Sequence, residues 1–208
     1  MTPIHHYYHI YADGAWEEPV REHADALRKS GLEDQPEFTW HIGIVGNEEN
    51  REKVRAYLER KGFKWILVRW SEEGWEQLTL SALADDCQHS EGIVFYAHTK
   101  GAHNPGRFNS AWRKRMTFFN VTKWKDAVAS LQSCSAYGCH WMELEGCWLF
   151  GGNFWWTRME HLRLLGPVGM DNRWKAEEWV GHLHDRVKDF TVCDPAGPFP
   201  GTVAALNR

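Results

Sequence analysis

The residues of this chain best suited to chemistry stand in one run, His98-Thr99-Lys100-Gly101-Ala102-His103, directly behind the apolar stretch Ile93-Val94-Phe95-Tyr96-Ala97. Lysine supplies a mobile positive charge of the kind used against phosphates, and glycine lets the backbone turn or approach a ligand closely. A solvated polar turn would have the same composition, because loops are commonly polar. A basic group follows at Arg107, Arg113, Lys114 and Arg115. The guanidinium fork suits a diphosphate because it binds two oxygens at once. Of these, Arg113 is the one that a helix could return to the same cleft, while most of the others read as a solvated face.

Two further segments set polar groups among aromatic rings. Phe150-Gly151-Gly152-Asn153-Phe154-Trp155-Trp156 places glycines and an amide between an apolar strand and a helix. Such a bend can hold backbone and amide against a polar ligand while the rings form a wall; a tight structural turn with core aromatics fits equally well. Arg173-Trp174-Lys175-Ala176-Glu177-Glu178-Trp179 opens a helix with two carboxylates beside indoles. A carboxylate against apolar rings has the raised pKa that a general base can use. The simpler reading is an acidic first turn favoured by the helix dipole.

The elements needed to gather these residues are legible from pattern. Tyr7 to Tyr11 reads as a strand, Asp13-Gly14 as a turn, and Trp16 to Lys29 as a helix that stops at Ser30-Gly31. His41 to Gly46 is a second strand before a charged helix at Glu48 to Lys61, and Phe63 to Trp70 a third before a helix at Gln77 to Gln88. Gly92 to Ala97 is continuously apolar, as a strand covered on both faces is. Successive strand-then-helix units predict an α/β fold with a mostly parallel sheet and helices on both sides. Ligands of such sheets lie outside the carboxyl ends of the strands, so the loops after each strand are the place for a site. Further on, helices are predicted at Phe108 to Phe119, Val121 to Gln132, Thr157 to Leu165 and Asn172 to Val187, with a strand at Cys147 to Phe150. One domain is expected over residues 1–192. Residues 193–208 read as an extended tail, because Asp194-Pro195-Ala196-Gly197-Pro198-Phe199-Pro200-Gly201 forbids regular structure.

Composition narrows the classes. A chain of 208 residues, 43% hydrophobic, can bury one large core. A net charge of −4 leaves no global positive field to draw it to nucleic acid or anionic lipid. The N-terminus has neither a basic region ahead of an apolar stretch nor a small-residue cleavage site, and no window approaches a membrane span, so the cytoplasm is the expected compartment. Five scattered cysteines make neither a disulfide framework nor a zinc pair, and reduced, mostly buried thiols are expected. Thirteen tryptophans suit core packing first and stacking on a sugar or base second.

Taken in order, the strand with His98-Thr99-Lys100-Gly101, then Trp112-Arg113, Gly152-Asn153-Phe154-Trp155-Trp156 and Ala176-Glu177-x-Trp179 resemble a group of small glycosyltransferase-like proteins of bacteria, phages and large viruses. Tyr8-His9-Ile10-Tyr11, Trp16, Ser30-Gly31-Leu32 and Ile44-Val45-Gly46 extend the resemblance over roughly Tyr7 to Gly181. The resemblance implies a GT-A-like nucleotide-diphospho-sugar transferase fold, a three-layer sandwich. It implies a nucleotide-sugar donor over the first strands, near Tyr11, Ala12 and Asp13, with Thr99 and Gly101 beside it. Gly152, Asn153, Trp155 and Trp156 would face substrate. The Asp-x-Asp metal motif common in that fold is replaced here by His98-Thr99-Lys100, and Asp85-Asp86 lies in a helical pattern before the strand. No metal or other cofactor is therefore expected: Lys100, His98 and Arg113 would offset the diphosphate charge and Glu177 would take the acceptor's proton, with inversion at the sugar carbon. The acceptor is left open among a glycan, a protein and a hydroxylated DNA base.

Two rival readings are weighed beside it. A metal-dependent hydrolase would draw ligands from His98, His103, Glu178, His182 and His184, although no H-E-x-x-H spacing occurs. A non-catalytic module would hold a glycan, or single-stranded nucleic acid, on its tryptophans.

Overall fold

Tyr7, Tyr8 and Ile10 are fully buried, and the strand that carries them, β1 (Ile4–Tyr11), lies inside a seven-stranded sheet. A computed structural model describes residues 2–197. Strands β2 (Phe38–Val45), β3 (Ile66–Ser71) and β4 (Ile93–His98) run parallel to β1, reached through the crossover helices α1 (Glu17–Ser30), α2 (Glu48–Arg60) and α3 (Gln77–Asp86). After helices α4 (Arg107–Thr117) and α5 (Trp124–Ser130) come β5 (Ala136–Gly138), the hairpin β6 (Trp141–Leu144) and β7 (Cys147–Phe150), and β8 (Trp155–Arg158). Short helices α6 (Met159–Leu162), α7 (Trp174–Glu178) and α8 (Leu183–Arg186) precede the edge strand β9 (Val192–Cys193).

The sheet order is β3-β2-β1-β4-β8-β5-β9. Strand β8 is antiparallel to both of its neighbours and the other strands share one direction. Side chains alternate across β1 and β4. Tyr8 and Phe95 pack with Val20, Leu27, Val54 and Met116 from α1, α2 and α4, whereas Tyr7, Val94 and Tyr96 pack with Leu80, Met159 and Leu183 from α3, α6 and α8. The result is the expected α/β three-layer sandwich with a mostly parallel central sheet. Helix α3 lies close on the sheet because residue 43 has no side chain: a Cβ there would collide with Thr79. That contact sets the start of α3 near the carboxyl ends of the strands.

Several expectations are corrected. Trp155 to Arg158 is a strand, and only Met159–Leu162 of the expected helix from Thr157 is helical. Aromatic and β-branched residues suit a slot between two strands; Trp155 stacks on Tyr96 at 5.2 Å and Trp156 on Phe95 at 4.7 Å. The helix expected from Asn172 to Val187 breaks into α7, a 3-10 turn at Trp179–His182 and α8, since Gly181 lies against the carbonyl of Trp148 with no room for a side chain. The helix expected from Val121 begins at Trp124, after a π-helical turn at Phe118–Thr122. The thiols are not all reduced: Cys134 and Cys193 form a disulfide, their Cα atoms 6.1 Å apart, while Cys87 and Cys139 are free and buried. Val192 and Cys193 join the sheet, so the extended segment starts with Asp194, whose Oδ1 accepts the N–H groups of Ala196 and Gly197. The rest of the expected tail, 198–208, lies outside the described residues. No helix among the described residues is long and apolar enough to cross a membrane.

Much of the histidine content lies in the core. His6 donates from Nδ1 to the carbonyl of Phe95, which leaves its Nε2 to accept from His23 Nε2 at 2.7 Å. Burial pushes His6 down to about 3 and His9 and His41 to about 4, and lowers His23 as well. In the unfolded chain these groups titrate near 6.5. Their neutral burial therefore supports the fold fully above that pH and loses that support as pH falls toward 4. Urea unfolding should give a free energy lower at pH 5 than at pH 7.5 by about 1–2 kcal/mol per buried histidine; a flat profile would contradict neutral burial.

Candidate active site

The carboxyl ends of β1 to β4 converge on one open cavity of about 820 Å³. Its walls are the loop after β1 with Asp13, the loop after β3 from Glu72 to Glu76, the segment His98 to Asn109 after β4, and Arg173, Trp174 and Glu177 at α7. This is the position that a parallel sheet reserves for ligands.

Thr99 joins the ends of two strands. Its N–H donates to His9 O, and its Oγ1 accepts the N–H of Tyr11, both at 2.9 Å. Gly101 then turns with φ +87, a conformation that favours glycine, and a Cβ there would sit 3.0 Å from Asn109. Arg113 fixes this loop from behind: Nη1 donates to Lys100 O at 2.8 Å, and the guanidinium pairs with Glu22 at 2.9 Å. Lys100 is thus placed in the cavity wall, its ammonium 4.2 Å from the ring centre of Trp112. Helix α4 opens beside it without a side-chain cap, and Arg107, Phe108 and Asn109 of its first turn line the cavity. Uncapped first-turn N–H groups favour an anion.

Below Lys100 lies a packed polar array. Glu76 Oε2 accepts from Tyr96 Oη at 2.9 Å and from Asn153 Nδ2 at 2.7 Å, and its Oε1 faces His98 Nδ1 at 3.1 Å. His98 Nε2 donates to Gly152 O at 3.1 Å. Burial, with Lys100 adjoining, pushes His98 down to about 3. Glu177 lines the same cavity, and its Oε2 is buried without a hydrogen-bond partner among the described residues. Burial raises its pKa, Lys100 draws it back down, and Glu76 adds to the rise. A raised carboxyl with a free oxygen in a cleft has the properties of a proton acceptor.

Of the residues expected to act, the cavity gathers Tyr11, Asp13, His98, Thr99, Lys100, Gly101 and Glu177. Asp13 Oδ1 accepts from Asn47 N and Asn50 Nδ2, which stiffens the loop after β1. The remaining residues are elsewhere. Ala12 is buried in the core. Arg113 is buried behind the Lys100 loop and held by Glu22, so it is not a ligand of this cavity. Trp155 and Trp156 are fully buried in the two faces of β8, and neither they nor Gly152 and Asn153 line the cavity; they support its floor. His98 is held between Glu76 Oε1 and Gly152 O, with both ring nitrogens engaged. Sequence reasoning missed Glu76, Trp75 and Arg173, all of which line the cavity. The signal for the first two was present, since Glu72-Glu73-Gly74-Trp75-Glu76 follows a strand.

The ligand set of the metal-dependent hydrolase reading is not brought together among the described residues. Glu178 pairs with Lys175 at 2.8 Å and His184 stacks on Trp148 at 5.1 Å, while His98 and His103 line the cavity. Among the described residues no three His, Cys, Asp or Glu side chains converge as a metal site.

The sheet order, with its single reversed strand and its cavity at the strand ends, defines a GT-A-type α/β fold, and solved structures share it. The chain is similar to a mannosyltransferase from Pyrobaculum calidifontis in complex with GDP-Man and Mn2+, at 16% identity and a TM-score of 0.54, over 99% of this chain and 60% of that one. It is similar to glucosyl-3-phosphoglycerate synthase from Mycobacterium tuberculosis, in complex with Mn2+, UDP and phosphoglyceric acid, at 14% identity and a TM-score of 0.55, over 94% and 68%. It is also similar to 4-diphosphocytidyl-2C-methyl-D-erythritol synthase from Anaerococcus prevotii, at 11% identity and a TM-score of 0.50, over 100% and 99%. The chain belongs to the family described as a domain of unknown function, DUF8361, whose model matches residues 7–173. No curated protein sequence matches it. This chain spans about 60% of the mannosyltransferase's length.

Two of these proteins are named with Mn2+. At the end of β4 stands the Lys100 ammonium, both ring nitrogens of His98 are engaged, and no three donors converge among the described residues. The loop itself depends on Arg113. Arg113→Ala leaves the Lys100 carbonyl unpaired and leaves Glu22 only Lys114 at 3.4 Å, and should cost about 1–3 kcal/mol, read as a lower Tm with faster amide exchange at 99–102; unchanged exchange there would contradict this role.

Proposed function

We propose that this protein transfers a sugar from a nucleotide-diphospho-sugar to a hydroxyl acceptor, without a divalent metal and with inversion at the anomeric carbon. The observation that carries the reading is one cavity at the strand ends that holds both the Lys100 ammonium and the unpartnered Oε2 of Glu177. The GT-A-type fold supports it, and so do the sugar nucleotide and the nucleotide named for two similar structures.

In this reading the nucleoside lies over the ends of β1 and β2, against Tyr11 and Asp13. The diphosphate lies between Lys100 and the first turn of α4 with Arg107, where ammonium, guanidinium and backbone N–H groups all favour negative charge. The acceptor enters from the side of Arg173, Trp174 and Glu177. Its oxygen bonds to the anomeric carbon as the bond from that carbon to the diphosphate oxygen breaks. Its proton passes to Glu177 Oε2, and the charge left on the nucleoside diphosphate is held by Lys100. The acceptor belongs to the hydroxyl-bearing classes named above, a glycan, a protein or a modified DNA base. The cytoplasm is the proposed compartment, an assignment on which the Cys134–Cys193 pairing bears directly, since thiols there are kept reduced.

Thermal shift against UDP-, GDP-, TDP- and CMP-sugars, each with manganese and with EDTA, tests this reading. One class of nucleoside diphosphate sugar should stabilise the protein equally well in EDTA. Lys100→Ala should weaken that binding by about tenfold, while Glu177→Gln should keep binding and lose turnover by about a hundredfold or more. Near wild-type turnover in both variants would remove the assignment, and firm glycan binding with no response to any nucleotide sugar would favour a non-catalytic module.

A further inference from the structure

Glu76 has no part in the transfer just described, yet it is among the most completely hydrogen-bonded groups at the cavity. Its side chain is 16% exposed, and that of His98 is 12% exposed. Four contacts determine how the hydrogens must lie. Gly152 O can only accept, so the His98 Nε2 at 3.1 Å carries a hydrogen. Tyr96 Oη and Asn153 Nδ2 both donate to Glu76 Oε2, which occupies that oxygen as an acceptor. What is left is Glu76 Oε1 facing His98 Nδ1 at 3.1 Å. With no hydrogen between them, a carboxylate oxygen and a nitrogen lone pair would repel at this distance. One hydrogen is therefore required, and two cannot be accommodated.

We propose that Glu76 and His98 share a single proton between Oε1 and Nδ1, forming a pair of zero net charge beneath the cavity, and that Glu76 is a positioning residue rather than a base or a metal ligand. The balance holds wherever the proton rests: a carboxylic acid beside a neutral imidazole, or a carboxylate beside an imidazolium. The charged groups that share the cavity with this pair are Lys100, Arg107 and Arg173 and the carboxylates Asp13, Glu72, Glu73 and Glu177, while His9 on β1 is engaged by Thr79 Oγ1 at 2.9 Å. A neutral hydrogen-bonded floor suits an uncharged sugar ring and leaves the acceptor's proton to Glu177 rather than Glu76. This extends the transfer reading and assigns the acidic groups of that site separate tasks.

The amide of glutamine reproduces the acid form: its oxygen can take the two donors and its NH2 can donate to Nδ1. The test is 15N–1H NMR of the imidazoles in the whole protein at neutral pH, with the His98 signals assigned by their loss in His98→Gln. In the wild type His98 should be neutral, protonated at Nε2, with Nδ1 accepting a hydrogen bond; Glu76→Gln should keep that pattern and Glu76→Ala should lose it. An imidazolium in the wild type that persists in Glu76→Gln, or a His98 spectrum unchanged in Glu76→Ala, would overturn the shared proton. No sugar donor is involved, so this outcome is independent of the transfer reading. Where turnover is measured, Glu76→Ala should lower kcat on the order of a hundredfold and Glu76→Gln about tenfold or less; equal losses in both would show that the carboxylate charge is what matters.

Discussion

The side chain of Asn153 connects the parts on which the site depends. Its residue sits in the left-handed region with φ 57, which asparagine tolerates better than most side chains. Its Oδ1 accepts from Trp155 Nε1 at 2.8 Å, and its Nδ2 donates to Glu76 Oε2 and to Ala176 O. One buried amide thus joins the reversed strand β8, the loop after β3 and helix α7, which carries Glu177. Breaking it would leave several buried polar groups unpaired at once, and each such group costs more than a hydrogen bond normally contributes. The strand that follows supplies rigidity, with Trp155 and Trp156 locked between layers.

Charge is arranged by distance from this hub. The chain is acidic overall, and the cavity lining includes Glu72 and Glu73, yet Lys100 and the first turn of α4 line the same cavity. Arg113 supplies no charge to the ligand; it offsets Glu22 and holds the Lys100 backbone from behind. Burial separates the roles of the titrating groups by keeping the core histidines neutral and raising Glu177. Glu177 then keeps a buried oxygen without a partner among the described residues while its neighbour Glu76 is fully engaged.

The first half of the fold was legible because its strands and helices alternate with clear stops, such as Gly31 after α1, and because strand-end logic points to His98 through Gly101. Strand β8 was not legible. Trp155 to Arg158 follows a glycine turn and precedes a helical pattern, and its pairing with β4 joins residues more than fifty positions apart, which no local periodicity encodes. The same blindness reversed the reading of Asn153 and the two tryptophans: their types suit a ligand wall and a core equally, and burial decides between them. Arg113 was placed on the correct helix but credited with the wrong partner, because the reach of α1 with Glu22 is a tertiary fact. Glu76 stood in a loop that strand-end logic marks, Glu72 to Glu76 after a strand, but nothing local singles it out from the other acids there.

The claim that most needs testing is that Lys100 and Glu177 act on one donor. Incubation with the nucleotide sugar that binds, in EDTA, should release nucleoside diphosphate slowly to water or faster to an acceptor, and release should vanish in Glu177→Gln while binding persists. Binding without release under any condition, or release that Glu177→Gln leaves intact, would contradict the account.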